Sequence, residues 1–198
     1  ISIVDKNNNV YESATGTANS DISNARKIIS SPSSKYVIKR DGTLWAKGMY
    51  STGMWGEKIE KNEYVQVTKD GKEIFKNIRD IYASAKGHHA IFITDENRVY
   101  WAGRSSYGLL PNQKGDFLQE GAGYGTNYPE EVQSNVLNEI KEKIKDIQYT
   151  LTNTGGIWGR NTIILTEDGK IYTMSDNKNM SGNQNTKNEN GDFTELTI

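Results

Sequence analysis

The chain is 198 residues long and carries 24 Lys and Arg against 25 Asp and Glu, a formal net charge of −1 that argues against a general nucleic-acid or anionic-membrane binder. It contains no cysteine, which excludes a disulfide framework, thiolate metal sites and a cysteine nucleophile. With 34% hydrophobic residues and 19 glycines, the composition suits many short strands and turns better than a helical bundle, and no apolar run approaches the ~20 residues of a membrane helix.

The chain begins at Ile1 with neither an initiator methionine nor a signal-like segment, as a processed chain would. A hairpin comes first: Ser2-Ile3-Val4-Asp5 runs to Val10-Tyr11 across Asn8-Asn9. The same pattern returns at Tyr36-Val37-Ile38-Lys39 to Leu44-Trp45, at Ala90-Ile91-Phe92-Ile93 to Val99-Tyr100, and at Ile163-Ile164-Leu165-Thr166 to Ile171-Tyr172. In each copy six positions separate the last apolar strand residue from the apolar neighbour of the aromatic: Val4 to Val10, Ile38 to Leu44, Ile93 to Val99, Leu165 to Ile171. The turns Asn8-Asn9, Asp41-Gly42, Glu96-Asn97 and Asp168-Gly169 carry the residue types that tolerate φ > 0 in tight hairpins. Another strand precedes the hairpin. Ile74, Ile78 and Ile81 match Ile140, Ile144 and Ile147 at identical spacing, and in the second unit Ile28 is the clear anchor. A fourth strand follows at Tyr64-Val65-Gln66-Val67, at Glu131-Val132 and over residues 193–198. A repeated unit of four short antiparallel strands predicts an all-β array of about four propeller-type blades, roughly 1–24, 25–68, 74–133 and 137–198 of one repeat domain. Residues 134–142 are spaced for a short helix, and the polar run 183–190 for a flexible loop.

The third unit carries the fullest signature: Gly87 and His88-His89, the strand Trp101-Ala102-Gly103, and the loop Ser106-Tyr107-Gly108-Leu109. It resembles the repeat of the RCC1-like family (regulator of chromosome condensation repeats). The second unit matches through Asp41-Gly42, Leu44-Trp45, Gly48 and Gly53. The last keeps Asp168-Gly169 and Ile171-Tyr172 but has Ser175 in place of the strand-end glycine, and the first has Ala14 there. The resemblance implies wedge-shaped blades for a ring of about seven, so four blades imply a partial ring or open arc in preference to a closed small propeller. At the family's histidine position it implies a structural role that ties neighbouring blades. Members of the family include nucleotide-exchange factors, chromatin binders, enzyme inhibitors and light receptors. What the resemblance implies for function is therefore recognition by loops on a rigid scaffold.

Unequal spacing marks where such loops fall. Leu44, Val99 and Ile171 are 55 and then 72 positions apart, and the excess lies in insertions at 114–128 and 151–160. Large aromatic and methionine side chains in loops, Tyr50, Met54, Trp55, Tyr107, Tyr124 and Trp158, are the candidate partner-binding residues; the competing reading is that each caps the stack of blades. Trp45, Tyr100, Trp101 and Tyr172 fall on repeat strands and read as blade packing.

Catalytic and metal readings fare worse. Asp5 to Asn9 starts like a calcium loop, but the sixth place is Val10 and the twelfth Gly16. Gly121 to Gly125 has no strand and helix framing it. His88 and His89 are the only histidines, and adjacent strand residues point to opposite sides. The expectation is a non-enzymatic protein-binding or adhesion module with no cofactor, no metal, no nucleic acid and no membrane insertion. A glycan-binding lectin that stacks sugars on Trp55, Trp158 and Tyr124 is the alternative, and an enzyme with its site in an inserted loop the third. Richness in Asn, Lys and Ile with only three Pro fits an AT-rich bacterial genome and a secreted or surface protein; a cysteine-free chain is equally at ease in the cytoplasm.

Overall fold

The computed structural model describes residues 2–12, 22–31, 34–48, 61–83, 89–105, 124–125, 128–154, 157–175 and 192–196. Strands β1 (Ser2–Val4) and β2 (Val10–Glu12) form the first hairpin. Next come β3 (Ala25–Ser30), β4 (Ser34–Lys39), β5 (Leu44–Gly48) and β6 (Lys61–Gln66), an antiparallel sheet in chain order. The third sheet holds β7 (Ile78–Ala83), β8 (His89–Thr94), β9 (Val99–Ser105) and β10 (Tyr124–Gly125), with β11 (Glu130–Glu131) also on β9. Helix α1 (Asn135–Ile140) and a 3₁₀ turn, Lys141–Lys143, lead into the fourth sheet: β12 (Ile144–Thr154), β13 (Ile157–Thr166), β14 (Ile171–Ser175) and β15 (Thr194–Glu195). The chain is thus an all-β array of four successive antiparallel blades, as the repeats predict.

Local chemistry explains the hairpins. Val4 pairs with Val10, Ile38 with Leu44 and Leu165 with Ile171. Asn8, Gly42, Asn97 and Gly169 take φ of 66°, 80°, 58° and 83°, the left-handed region that Asn and Gly enter at least cost. The preceding aspartates brace the turns. Asp41 accepts from the Thr43 hydroxyl and amide, at 2.7 and 3.0 Å, and these bonds hold its carboxyl below the ordinary carboxylate range. Asp168 accepts from the Thr166 hydroxyl at 2.5 Å and is lowered in the same way, with help from Lys143. Each first strand of blades two to four opens with a register shift, between Ala25 and Lys27, Ile78 and Asp80, and Ile144 and Asp146. These are β-bulges repeated at one place in the unit.

Two expectations need adjusting. Ile74 does not anchor a strand: it makes an isolated bridge to Thr68 and is 41% exposed. The matching Ile140 is buried at the end of α1, so the repeat equivalence starts at Ile78 and Ile144. The helix predicted over 134–142 forms as α1, with Ser134 as N-cap accepting from the Leu137 amide at 2.9 Å.

The chain divides into two compact units. The first comprises Ile1–Glu96, Tyr100–Arg104 and Gly125–Glu130, the second Asn97–Val99, Ser105–Tyr124 and Glu131–Ile198. In the first unit, consecutive blades pack face to face, and strand alternation decides which residue meets which neighbour. Val4 and Val10 of the first blade meet Val37, Tyr64, Ile28 and Trp45 of the second. The intervening positions Tyr36, Ile38, Leu44 and Ala46 face the other way, against Ile78, Ile81, Phe92 and Tyr100 of the third. Phe92 lies edge-on to Tyr36 and Phe75, with centroids at 6.0 and 5.8 Å, an arrangement that adds to the area burial. Backbone bonds repeat the same relation: the Asn8 carbonyl accepts from the Ala25 amide at 3.0 Å, and the Gly42 carbonyl from the Ile78 amide at 3.2 Å. Both of these hairpin turns are thereby tied to the strand that opens the next blade. Ile91, Ile93 and Trp101 are buried on the opposite side of the third blade. In the second unit, Thr162, Ile164, Thr166, Tyr172 and Met174 are buried on one side of the fourth blade.

Candidate functional site

Of the six candidate partner-binding residues, Tyr50, Met54, Trp55 and Tyr107 lie outside the described residues, as does His88. Tyr124 and Trp158 are described at the backbone, and neither is in a loop. Tyr124 belongs to β10, on the edge of the third sheet. Trp158 belongs to β13, opposite Asn153. The segment 151–160 is therefore not an inserted loop but an extension of the hairpin. Both strands run on through Leu151↔Arg160, Thr152↔Gly159, Asn153↔Trp158 and Thr154↔Ile157.

Among the described residues, the third strand of this blade does not follow. Its register with β13 ends at Asn161↔Ser175, so among the described residues four cross-strand pairs stand beyond it as a two-stranded ribbon. The local sequence accounts for this. Tyr149-Thr150-Leu151-Thr152 and Ile157-Trp158 are β-branched and aromatic, and Gly155-Gly156 is a two-residue turn signal between them. The ribbon carries a single formal charge, Arg160.

Polar clusters elsewhere serve the scaffold. Glu12 at the end of β2 receives Lys47 at 2.7 Å, Lys35 at 3.1 Å and the Tyr64 hydroxyl, all from the second blade. Burial alone would raise its carboxyl. The hydrogen bonds from Lys47, Tyr64 and Lys35, with the charge of Lys47, outweigh that and bring it from 4.5 to about 2. The Lys47 ammonium also sits 4.5 Å from the centroid of the Tyr64 ring, and the Lys39 ammonium 4.3 Å from that of Trp45.

In the second unit, the Asp192 carboxylate occupies the N-terminus of α1. It accepts from the Ser134 hydroxyl at 2.5 Å, the Asn135 amide at 2.9 Å and the Val136 amide at 3.3 Å. A carboxylate there satisfies amides that lack intrahelical partners. It also ties the C-terminal segment with its buried Phe193 to the helix. Neither cluster was legible beforehand, because the partners are 23 to 58 residues apart in the chain. Among the described residues, no group of three or more His, Asp or Glu is placed to hold a metal ion, and no helix is long and apolar enough to cross a membrane.

No protein-family model matches the chain, and no curated protein matches its sequence. Solved structures do. Prp20p from Saccharomyces cerevisiae, reported with its binding properties to Gsp1p and histones, is 14% identical over 93% of this chain and 41% of its own, with a TM-score of 0.61. Yeast RCC1 (Prp20) bound to Kap60 is 14% identical over 78% of this chain and 32% of its own, with a TM-score of 0.52. Human WBSCR16 is 12% identical over 75% of this chain and 32% of its own, with a TM-score of 0.50. The chain therefore spans only 32% to 41% of the length of these structures. Identities of this size speak for architecture alone, and the four repeated blades speak for the same one: the chain has the fold of the RCC1-like β-propeller.

Proposed function

We propose that the chain is a non-enzymatic protein-binding module that grips its partner through the β12–β13 ribbon and the segments that join the blade strands. The observation that carries this reading is the ribbon. It stands beyond the third strand of its blade, places Trp158 opposite Asn153, and bears one formal charge. An aromatic carried on a paired strand loses less conformational entropy on binding than one on an unpaired loop, which favours affinity. The similar yeast structures lend support, since Prp20 is bound to Kap60 in one and is reported with its binding to Gsp1p and histones in the other. A partner for this chain is expected to be a protein and not a nucleic acid, because the net charge is −1.

The compositional reading extends this to a bacterial secreted or surface protein engaged in adhesion or host contact, of which the chain is a part. Tyr50, Met54, Trp55, Tyr107 and Tyr124 are proposed to contribute beside Trp158. The test is a binding assay of the whole chain with proteins of the source cell and its surroundings, followed by Ala variants at these six positions and a glycan array in parallel. Trp158→Ala is expected to weaken binding about 30-fold or more, as a buried aromatic anchor does, with melting unchanged. Binding that survives all six substitutions overturns the reading, and saturable glycan binding without a protein partner replaces it with the lectin one.

A further inference from the structure

Strand β4 sets Ser34, Tyr36 and Ile38 along the face that packs against the third blade, where Tyr36 and Ile38 share a core with Ala90 and Phe92. Two of these three residues carry a hydroxyl. Ser34 is 3% exposed and Tyr36 fully buried, and neither the Ser34 Oγ nor the Tyr36 Oη has a hydrogen-bond partner among the described residues. Buried hydroxyls are almost always paired, because one left unmatched forfeits the bonds it made to water in the unfolded chain. The same place is polar in the fourth blade. Asn161 stands four residues before Leu165, as Ser34 stands four before Ile38, and its buried Oδ1 also has no partner among the described residues.

The neighbours of the two hydroxyls are small. Opposite Ser34 in β5 is Gly48, and opposite Tyr36 is Ala46. The third blade brings the cross-strand pair Ala83 and Ala90 to the same core. None of these four carries more than a methyl group. A gap lined by apolar groups alone stays dry, whereas one that holds buried hydroxyls takes up water that bonds to them.

Burial pushes the Tyr36 phenol well above its ordinary value, and the nearby Ser34 hydroxyl offsets this only in part. The phenol therefore keeps its proton at ordinary pH, and both hydroxyls can donate as well as accept. They lie near enough to act on one another, yet they make no direct hydrogen bond.

We propose that one internal water molecule binds between the second and third blades and bridges the Tyr36 Oη to the Ser34 Oγ. The water accepts from the phenol and donates to the serine oxygen, so a single small ligand satisfies both groups. Both oxygens are closed off from solvent. The water therefore exchanges with bulk only when the two blades open locally, and it is long-lived.

Oxygen-17 relaxation dispersion of water in solutions of the full chain detects long-lived internal waters and tests this. The dispersion amplitude is expected to fall by that of one water in Tyr36→Phe, in Ser34→Ala and in the double variant alike. Each single variant should melt about 2–4 °C lower, since it strands the remaining hydroxyl. The double variant should melt no lower than the singles, since it strands neither. A direct bond between the two hydroxyls would give the same melting pattern with the dispersion unchanged, and an unchanged dispersion overturns the proposal. A higher melting temperature in Tyr36→Phe overturns it equally, as the mark of a hydroxyl that had no partner to lose. Should Tyr36→Phe fail to fold, Ser34→Ala decides by the same two readings.

Discussion

Gly42 and Gly169 hold the same place in equivalent hairpin turns, with φ of 80° and 83°, yet their surroundings differ. A valine at either position forces a β-branched residue into the left-handed region, at about 1–3 kcal/mol. At Gly42 the new Cβ also lies 3.2 Å from the Asn77 amide nitrogen and 3.4 Å from its Cα, whereas at Gly169 it points into open space. Gly42→Val is therefore expected to lower the melting temperature more than Gly169→Val, and both to lower it. Equal losses would mean that the turn does not press on the next blade; no loss in either would mean that the turn register is wrong. These glycines were legible because a turn is local: Asp-Gly between two apolar runs states its own geometry. Glu12 was not, since nothing near it in sequence announces Lys35, Lys47 or Tyr64. Its folded-state carboxyl is depressed from 4.5 to about 2. The stability it contributes is present above 4.5 and is lost as pH falls towards 2, on the order of 2–3 kcal/mol once screening is allowed for. Urea denaturation of the chain and of Glu12→Gln should differ at pH 7 and converge below pH 3. A difference that persists unchanged at low pH would show that the carboxylate charge is not what matters.

At the scale of elements, Trp101 belongs to the scaffold, whereas Trp158 is proposed for the contact surface. Trp101 is 5% exposed within β9, and truncation to Ala removes a large buried side chain from a packed blade, a loss of about 3–5 kcal/mol. Trp158 stands in the ribbon beyond the last β13–β14 pair, so Trp158→Ala is expected to leave the melting temperature within a degree or two while weakening the partner. The reverse pattern, Trp158 essential to stability and Trp101 dispensable, would invert the assignment of core and surface. The ribbon also shows why part of the candidate site escaped sequence reasoning. Comparing repeat lengths locates the extra residues at 151–160 but says nothing of their conformation, and an insertion in a repeat reads by default as a loop. The better signal lay on either side of them, in β-branched and aromatic runs that flank a two-residue turn. Blade packing was legible for the opposite reason. A strand has a period of two, so once Val37 faces one neighbour, Tyr36 and Ile38 must face the other.

On the scale of the whole molecule, the question is how far stability is shared along the array. Repeat proteins draw their stability from each unit and its contacts with the next, so loss of a terminal element need not propagate. The first unit has two apolar cores of its own, one around Val10, Val37 and Tyr64 and one around Tyr36, Phe75 and Phe92, and among the described residues neither includes one after Ala102. The C-terminal segment is fastened within the second unit, where Asp192 caps α1, Phe193 is buried and Leu196 donates its amide to the Ile171 carbonyl at 2.8 Å. Deleting residues 193–198 removes Phe193 and the fourth strand of that blade, and Asp192→Ala weakens the same attachment without removing chain. Both changes are expected to erase hydrogen-exchange protection in β12 to β14 while amides of β3 to β5 and β7 to β8 stay protected. That outcome fits an open array, in which the last blade closes nothing but itself. Simultaneous loss of protection in every blade after the six-residue deletion would show instead that the C-terminal strand fastens the fourth blade to the first, and the array would then have to be read as a ring closed within one chain.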